Sequence, residues 1–292
     1  MYKITRKQFL KISGVSAAAI ALDPSLAFGK QESKIEIGLC GYLEKSTFVK
    51  EAGCEYIEGG TAKILMPLKP DDEFNQSFGR ISHEPLRVKC LNVFIPGEFK
   101  SVGENAQHEK IIEYASIAFK RAERVGADII VFGSSGSRTI PDSFDRAKAK
   151  EQFVSLCKSL APIAGRHKIT LAIEALNKGE TNFINYLHES AEIVDMVKHP
   201  NLKMICDIYH ALKENDPPGE LVRFKDHLVH CHIAEKEKRT PPGVMGDDFT
   251  PYFKALKQIK YQGRISLECN WNNFESELPV AVKTLKVQFE AA

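Results

Sequence analysis

The chain lacks the signatures of several common protein classes. Its seven cysteines form no Cys-x-x-Cys pair, and no GxGxxG motif follows the first strand-like run, so a dinucleotide site has no support. A formal net charge of +2 gives no basic excess for a nucleic-acid backbone or an anionic membrane. Beyond the first 29 residues, no apolar stretch is long enough to cross a membrane. The remaining interpretation is a soluble globular protein.

Length and composition fit a single domain. The chain has 292 residues, of which 43% are hydrophobic and 27% are charged. These proportions are ordinary for a globular protein, and the length suits one α/β barrel of roughly 250 residues with a leader. The sequence has no internal repeat, low-complexity stretch or linker that would indicate a second domain. We therefore expect one domain over residues 30–292.

The first 29 residues differ from the rest and have the pattern of an export signal. Basic residues including Arg6 and Lys7 form the start, residues 12–22 are apolar, and residues 25–27 form a small-residue cleavage site. The segment TRKQFLK resembles a twin-arginine export signal, with Arg6-Lys7 where that signal has two arginines. The sequence therefore predicts a signal peptide over residues 1–29 and an exported, periplasmic protein. The alternative is an amphipathic N-terminal helix packed on the domain.

The cysteines are scattered and odd in number, which does not suit a disulfide framework. Their positions are 40, 54, 90, 157, 206, 231 and 269, and six of them lie in or beside apolar strand-like runs. We interpret them as small buried residues with free thiols. Exported proteins usually have disulfides, whereas free thiols suit a chain that folds in the cytoplasm before export, as on the twin-arginine route.

From residue 34 onward, strand-like and helix-like segments alternate. The strand candidates are KIEIGLC (34–40), CEYIEG (54–59), RVKCLNV (87–93), DIIVFG (128–133), ITLAIE (169–174), LKMICD (202–207), HLVHCHI (227–233) and RISLE (264–268). The clearest helices cover residues 108–125, 143–166, 188–198, 249–260 and 275–289, and the proline-containing segment after the second strand is the poorest helix candidate. Most strands are apolar on both faces, which is typical of a parallel sheet. This pattern predicts one closed (β/α)8 TIM barrel, with an open doubly wound sheet as the alternative.

A candidate metal ligand lies at or near the end of each of the last four strand candidates. These residues are Glu174, Asp207, His232 and Glu268. Parallel strands of a barrel would bring their side chains together at the C-terminal rim, where such barrels build active sites. Each one alone could cap a helix, form an ion pair or lie in the core, but together they indicate a metal site. Three carboxylates and one imidazole suit Mn²⁺, Mg²⁺ or Co²⁺ better than structural zinc.

Two further histidines lie close to these candidates. His230 and His232 share one face of the seventh strand, because side chains alternate with a period of two. We assign His232 to the metal and expect His230 deeper in the barrel as a polar core residue. His210 follows Asp207 by three residues, so a helical turn there would place His210 where it reaches substrate rather than metal.

Strand-end motifs carry a resemblance to a known family. They are IEALNKGET (173–181), DIYH (207–210), HCHIAEKEKRTPPG (230–243), SLECNW (266–271) and LNVFIPGEFKSVGE (91–104). With these motifs the chain resembles the xylose isomerase-like barrels, and within them the sugar phosphate isomerase/epimerase group, which includes the ketose 3-epimerases. The resemblance covers essentially the whole chain after the leader and implies the same barrel fold.

The resemblance implies a role for each matching residue. The residues that match the ligands of one divalent metal are Glu174, Asp207, His232 and Glu268. Mn²⁺ is the first choice for that metal, with Mg²⁺, Co²⁺ and Zn²⁺ as alternatives. Glu180 and His210 match residues that contact the sugar near its reacting carbonyl. Arg239 matches a substrate-binding arginine, and Lys238 is the alternative because the loop here has one extra residue. Trp271 could stack on a sugar ring or pack against the outer helices.

The resemblance also implies a mechanism. A metal on a ketose carbonyl and its neighbouring hydroxyl acidifies the adjacent C–H and stabilises the enediolate. Glu174 and Glu268 would act as base and acid on opposite faces of the sugar, which epimerisation requires, and isomerisation could use the same groups. We therefore predict a metal-dependent sugar isomerase or epimerase with a small carbohydrate substrate and no nucleic-acid partner. Exposed barrel ends in this family often pair, so a homo-oligomer is compatible with the resemblance.

One other function stays open, and two more are disfavoured by the residues. Deprotonation next to a ketone can expel a glycosidic oxygen, so a metal-dependent lyase or hydrolase that cleaves 3-keto-glycosides by β-elimination is the main alternative. A non-catalytic sugar-binding barrel would have lost one or more ligands, and none is lost here. Abasic-site endonucleases of the same superfamily bind three zinc ions and need an Asp-x-His before the eighth strand, whereas the segment RTPPGVMGDDFTP has no histidine.

Overall fold

The described part of the chain is one closed barrel. The computed structural model describes residues 35–292, and the signal peptide expected over residues 1–29 lies outside them. Parallel strands pair in chain order, and the first strand also pairs with the eighth. The predicted (β/α)8 barrel is therefore confirmed, and closure of the sheet excludes the open doubly wound arrangement.

The strands are short and lie where the apolar runs predict them. In chain order they are β1 (Glu36–Cys40), β2 (Tyr56–Gly60), β3 (Val88–Asn92), β4 (Ile129–Phe132), β5 (Thr170–Glu174), β6 (Leu202–Asp207), β7 (Leu228–Ile233) and β8 (Arg264–Leu267). Their ends differ from the predicted ends by no more than two residues. Glu268, expected at the end of the last strand, lies one residue beyond β8.

Helices surround the barrel, and some are too short for periodicity to detect. In chain order they are α1 (Ser46–Glu51), α2 (Thr61–Leu65), α3 (Asp71–Ile81), α4 (His108–Val125), α5 (Ser135–Arg138), α6 (Arg146–Arg166), α7 (Leu187–Val197), α8 (Ile208–Glu214), α9 (Gly219–Arg223), α10 (Thr250–Gln258) and α11 (Phe274–Ala291). The five helices predicted most clearly correspond to α4, α6, α7, α10 and α11, with ends shifted by at most three residues.

Helix α3 forms in the proline-containing segment because no proline interrupts it. Pro70 lies at the N-cap, while Pro67 and Pro85 lie outside the helix. Asp71 and Asp72 in the first turn interact favourably with the positive end of the helix dipole. The poorest helix candidate is therefore a regular helix with proline at its start.

The barrel interior changes from apolar to ionisable near the C-terminal ends of the strands. A small buried cluster inside the barrel consists of Tyr56, Cys90, Ile129, Val131, Ala172 and Ile205. Because inward-facing positions recur every two residues, the next inward residue after Tyr56 is Glu58, after Ala172 it is Glu174, and after Ile205 it is Asp207. The strand period thus brings acidic side chains to one level of the barrel.

The cysteines are free thiols, as the sequence predicts. Five of the seven are buried, and Cys40 and Cys269 are partly buried. Burial raises the pKa of the Cys54 thiol to about 12, so that thiol stays protonated at neutral pH. Within residues 35–292, no helix combines the length and the apolar character that crossing a bilayer requires.

Candidate active site

The four predicted ligands come together at the C-terminal rim of the barrel. Glu174 ends β5, Asp207 ends β6, His232 is the penultimate residue of β7 and Glu268 follows β8. Each offers one ligand atom, and these atoms all lie within 4.8 Å of one another. The strand register explains part of this convergence, because Asp207 pairs with His232 across β6 and β7. These four residues are called the rim cluster below.

His232 contacts carboxylates through both ring nitrogens. Its ring is fully buried, and its Nδ1 lies 3.1 Å from Oε1 of Glu174 and 3.1 Å from Oε2 of Glu268. Its Nε2 lies 2.9 Å from Oε1 of Glu58. Burial lowers the pKa of the imidazole, but Glu58, Glu268 and Glu174 outweigh burial and raise that pKa well above its ordinary value. The metal-free ring therefore carries a proton on each nitrogen and donates to carboxylates on both sides.

A fully buried carboxylate, Glu58, supports His232 from inside the barrel. Its Oε2 accepts a 2.6 Å hydrogen bond from Ser266 Oγ and lies 2.8 Å from His230 Nε2. The Tyr56 hydroxyl extends the network through a 2.8 Å hydrogen bond with Ser266. His230 is thus a buried polar residue two positions before His232, held by the same carboxylate.

Sequence analysis did not select Glu58, although a signal was present. Like Glu174, it is an acidic residue near the end of an apolar strand candidate, CEYIEG. Burial raises the pKa of Glu58, but His232 and His230 outweigh burial and lower it, so this carboxylate stays ionised. An ionised carboxylate in contact with the ring fixes its orientation, as partners of metal-binding histidines commonly do.

Glu174 packs against a position that only glycine can occupy without a clash. A Cβ at Gly133, just beyond β4, would lie 2.1 Å from Oε2 of Glu174. The Glu174 side chain is 7% exposed. Burial raises the pKa of this carboxyl, and the hydrogen bond with His232 opposes that effect only in part. Burial therefore favours the protonated form of Glu174.

Glu268 has more polar surroundings than Glu174. Its Oε1 accepts a 3.2 Å hydrogen bond from Asn92 Nδ2, and its Oε2 is bonded by Arg239. Burial raises the pKa of Glu268, but His232 and Arg239 outweigh burial and lower it to about 2. The two carboxyls beside His232 Nδ1 thus differ in proton affinity: the pKa of Glu268 is lowered, whereas the pKa of Glu174 is raised.

Of the two basic candidates in the loop after β7, Arg239 lies in the site. Its Nη2 is 3.0 Å from Oδ2 of Asp207 and also bonds Glu268, while its Nη1 is 3.5 Å from Oε1 of Glu180. The Lys238 side chain is exposed, and within residues 35–292 no ion pair or hydrogen bond joins its ammonium to the rim cluster. The arginine offsets part of the negative charge of the rim cluster.

His210 presents a hydrogen-bond donor to the site. Its Nδ1 accepts hydrogen bonds from the backbone N of Asn177 at 3.1 Å and from Asn177 Nδ2 at 2.8 Å. A neutral ring with this acceptor carries its proton on Nε2, which is buried, lies 3.4 Å from Oδ2 of Asp207 and has no partner within hydrogen-bond geometry among residues 35–292. Asn177 Nδ2 also donates to Glu180 at 3.0 Å. Asn177, which sequence analysis missed, thus connects the two residues expected to contact sugar.

Trp271 packs at the start of α11. Its ring meets Phe274 edge-on, with the ring centroids 5.3 Å apart and the planes at 88°. Within the described residues, no ring contact or hydrogen bond joins Trp271 to the rim cluster. Of the two roles considered for Trp271, the contact with Phe274 corresponds to packing against an outer helix.

The donor set of the rim cluster fits a divalent cation. Three carboxylates and one imidazole lie together, all of them buried except the partly exposed Glu268. Burying several carboxylates side by side is costly unless positive charge compensates them, and the cationic groups in contact with them are Arg239 and His232. A mainly oxygen donor set suits Mg²⁺, Mn²⁺ or Co²⁺ better than it suits a tetrahedral structural zinc.

The rim cluster lies at the C-terminal mouth of a (β/α)8 barrel, where barrels of this class build their active sites. Comparison with known sequences identifies the family. Residues 47–287 match the xylose isomerase-like TIM barrel family, and the protein belongs to that family. The L-ribulose 3-epimerase of Methylomonas sp. (strain DH-1) is 33% identical over 129 residues, which are 43% of this chain and 42% of that protein. The chain thus spans less than half of the length of that curated relative.

Solved structures share the fold. The apo form of 3-keto-D-glucoside 4-epimerase from E. coli has a TM-score of 0.74 and 20% identity, and the match covers 87% of this chain and 100% of that one. The D-allulose 3-epimerase from Methylomonas sp. in complex with D-allulose has a TM-score of 0.75 and 21% identity, covering 88% of this chain and 98% of that one. At these identities the likeness shows the fold, and the activity has to be argued from the site.

Proposed function

We propose that this protein is a divalent-metal-dependent sugar isomerase or epimerase that moves a proton at the carbon next to a ketose carbonyl. One observation carries the proposal: Glu174 and Glu268, two carboxyls of different proton affinity, flank the same nitrogen of His232 at 3.1 Å. They come from β5 and from the end of β8, which are not neighbours in the barrel. Two carboxyls that reach one point from different strands can serve the two faces of a planar intermediate.

The difference in proton affinity assigns the starting roles. Glu268, with a pKa lowered to about 2, is ionised and accepts the proton from carbon. Glu174, whose pKa burial raises, is the better suited of the two to deliver a proton to the opposite face. A hydrogen bond from Arg239 to a substrate oxygen in place of its bond to Glu268 would raise the pKa of Glu268 towards the range that suits a base. The roles exchange for the product epimer, because the reaction is reversible.

The rim cluster would hold the metal through Glu174, Asp207, His232 and Glu268. A divalent metal there would supply Lewis-acid chemistry, which makes a C–H next to a bound carbonyl easier to deprotonate. Mn²⁺ is the first choice, on the strength of the resemblance to the ketose 3-epimerases.

The polar groups around the rim cluster suit an uncharged sugar. His210 Nε2 can donate to a sugar oxygen, Glu180 can accept from a hydroxyl, and Arg239 can donate to the carbonyl side of the substrate. The sequence offers no obvious cluster of lysine, arginine and glycine amides for a phosphate group. We therefore propose a free ketose as substrate, in line with the ribulose and allulose that the two epimerase relatives are named for.

A second candidate substrate is a 3-keto-glycoside. The fold likeness to 3-keto-D-glucoside 4-epimerase supports it, because that protein's substrate carries a ketone inside a glycoside. Deprotonation next to such a ketone either inverts the neighbouring carbon or expels the glycosidic oxygen. The lyase expected as the alternative from sequence is therefore the second function proposed.

We also propose that the protein is exported. The basic start, the apolar segment and the small-residue site within residues 1–29 support this proposal. N-terminal sequencing of protein purified from the native cell envelope should give a start near Phe28 or Lys30. An intact Met1 on that protein would contradict export.

Proton exchange in D₂O tests the proposed function. The protein is incubated in D₂O with Mn²⁺ and either D-fructose, D-allulose or a 3-keto-glucoside, and the products are followed by NMR. Deuterium next to the carbonyl without loss of the aglycone supports an epimerase or isomerase. Release of the aglycone supports the lyase. Bound Mn²⁺ without exchange into any of these sugars would overturn the proposal.

A further inference from the structure

The loop between β7 and α10, residues 234–249, delivers Arg239 to the site through a strained path. Lys238 and Arg239 both have left-handed backbone conformations, with φ of 55° and 56°. For residues other than glycine, such a conformation is sterically unfavourable, so the surrounding contacts must hold it.

Glu235 occupies the inside of this loop with a fully buried carboxylate. Its Oε1 accepts hydrogen bonds from the backbone N–H groups of Gly243 at 2.8 Å, Gly246 at 2.9 Å and Asp247 at 3.3 Å. Its Oε2 accepts from the backbone N–H of Met245 at 2.5 Å. The loop therefore wraps a single anion with its amide groups, an arrangement typical of anion-binding nests.

Glu235 also forms hydrogen bonds with Thr240, at the other end of the short segment that contains Arg239. The Thr240 hydroxyl donates to Oε2 of Glu235 at 2.8 Å, and the backbone N–H of Glu235 donates to the carbonyl of Thr240 at 2.8 Å. Residues 235–240 are thus tied at both ends into a tight turn with Arg239 near its end. On the other side, Arg239 Nε donates to the carbonyl of Glu268 at 3.0 Å. Glu235 and the β8 end together determine where the guanidinium lies.

We infer that Glu235 is a positioning residue for Arg239: it organises residues 235–247 around its carboxylate so that the guanidinium reaches Asp207, Glu268 and the substrate. This inference extends the proposed function, since it assumes that Arg239 contacts the sugar. It assigns Glu235 no contact with substrate or metal. Charge-assisted hydrogen bonds to backbone amides are roughly twice as strong as neutral ones, which suits an anion to this task.

The test compares the variant Glu235→Gln with the matched control Glu237→Gln, both made in the full-length protein. Glu237 lies in the same turn, but its side chain is exposed and only its backbone carbonyl bonds Thr240, so its variant makes the same chemical change and leaves the hydrogen bonds of the turn in place. Glutamine at position 235 keeps the shape but offers one acceptor oxygen and an NH₂ donor, so it places a donor against loop N–H groups. Hydrogen–deuterium exchange of unliganded protein should show faster exchange of residues 243–247 in Glu235→Gln only. Unchanged exchange there overturns the inference, whether or not the sugar assay works.

Kinetics with Mn²⁺ and D-fructose or D-allulose give the second readout. Glu235→Gln should lower kcat/KM about 10- to 100-fold while its Mn²⁺ affinity does not fall, because a displaced arginine weakens substrate contacts but takes only a positive charge, and no ligand, away from the rim cluster. Glu237→Gln should match the wild type in both. If the wild type turns over neither sugar, the proposed ketose chemistry fails, and loop exchange still decides whether Glu235 organises residues 243–247.

A double variant separates positioning from general stabilisation. If Glu235 acts through Arg239, then Glu235→Gln should add little to the loss caused by Arg239→Gln. Losses that multiply would mean that Glu235 acts independently of Arg239 and would overturn the inference. Should Glu235→Gln fail to fold, Thr240→Val removes one donor from the carboxylate and should give a smaller loss in the same direction. A Thr240→Val protein that matches the wild type in both readouts would also count against it.

Discussion

His232 Nε2 lies 2.9 Å from Oε1 of Glu58, on the far side of the ring from Glu174 and Glu268. With Nε2–H donated to an ionised carboxylate, Nδ1 is the nitrogen that can offer its lone pair to a metal. The contact thus selects which side of the imidazole serves as the ligand and fixes the ring plane at the same time.

Replacing Glu58 should therefore weaken metal binding without removing a ligand. Glu58→Gln is expected to lower Mn²⁺ affinity about 10- to 100-fold, because a neutral amide holds the His232 ring less firmly and makes its nitrogen a poorer donor. Competition with a fluorescent chelator measures the affinity. Glu51→Gln, on the exposed side of α1, is the control and should bind like the wild type. Equal affinities in both variants would show that the buried contact is irrelevant to the metal.

Metal affinity should rise with pH. The pKa of His232 is raised well above its ordinary value by the surrounding carboxylates, so the metal-free ring holds its second proton to a higher pH than a free imidazole does. A metal on Nδ1 displaces that proton, and lowering the pH therefore opposes binding by about tenfold per pH unit for one proton. Chelator competition between pH 6 and 8, with calorimetry in buffers of different ionisation enthalpy, measures the slope and the proton release. An affinity independent of pH would contradict the assignment of the proton to His232.

Gly133→Ala should disable the site while sparing the fold. The added methyl would lie 2.1 Å from Oε2 of Glu174, so the carboxyl has to move, and activity should fall about 100-fold. Gly79→Ala is the matched control, since an added Cβ there meets nothing within 4 Å. That change lies inside α3 and should leave activity intact while raising stability by up to about 1 kcal/mol. Steady-state kinetics and urea unfolding test the pair, and full activity in Gly133→Ala would be the contrary result.

Glu268→Gln should abolish proton transfer and leave the barrel folded. Loss of a general base typically costs about 10²- to 10⁴-fold in rate, and here the same change also removes a ligand charge. Deuterium incorporation from D₂O measures the step, and circular dichroism checks the fold. Glu290→Gln, exposed on α11, is the control. Near-normal exchange in Glu268→Gln would eliminate the two-carboxylate mechanism.

The barrel could be predicted because the strand pattern, the helix pattern and the helix ends all indicate the same fold. Strands apolar on both faces alternate with long amphipathic helices, and α4 ends as periodicity predicts because Gly126 adopts the left-handed conformation with φ of 87°. The short helix α8 was considered only as a helical turn after Asp207, and its length was not predicted. It begins where the Asp207 side chain accepts a hydrogen bond from the backbone N–H of Tyr209, so this residue has the capping role that was its alternative to metal binding.

The residues of the site that lie at strand ends could be predicted from the sequence. The contacts that the barrel forms between residues far apart in the chain could not. The ligands could be recognised because each lies at or next to the end of an apolar run. The partnership of Glu58 with His232 joins residues 174 positions apart, on strands that do not pair. Neither residue type nor spacing specifies such a contact, and the same holds for the hydrogen bonds of Asn177.

Arg239 pairs with both Asp207 and Glu268. The guanidinium thereby serves as a resident counter-ion, which relieves repulsion among the carboxylates while the barrel is assembled. Under the proposed function, folding would then need no external cation, and metal loading could follow it as a separate event. Under the proposed export, if the chain is exported folded, the ion that finally occupies the rim would be chosen by the compartment in which loading takes place, and not by the one in which the chain was made.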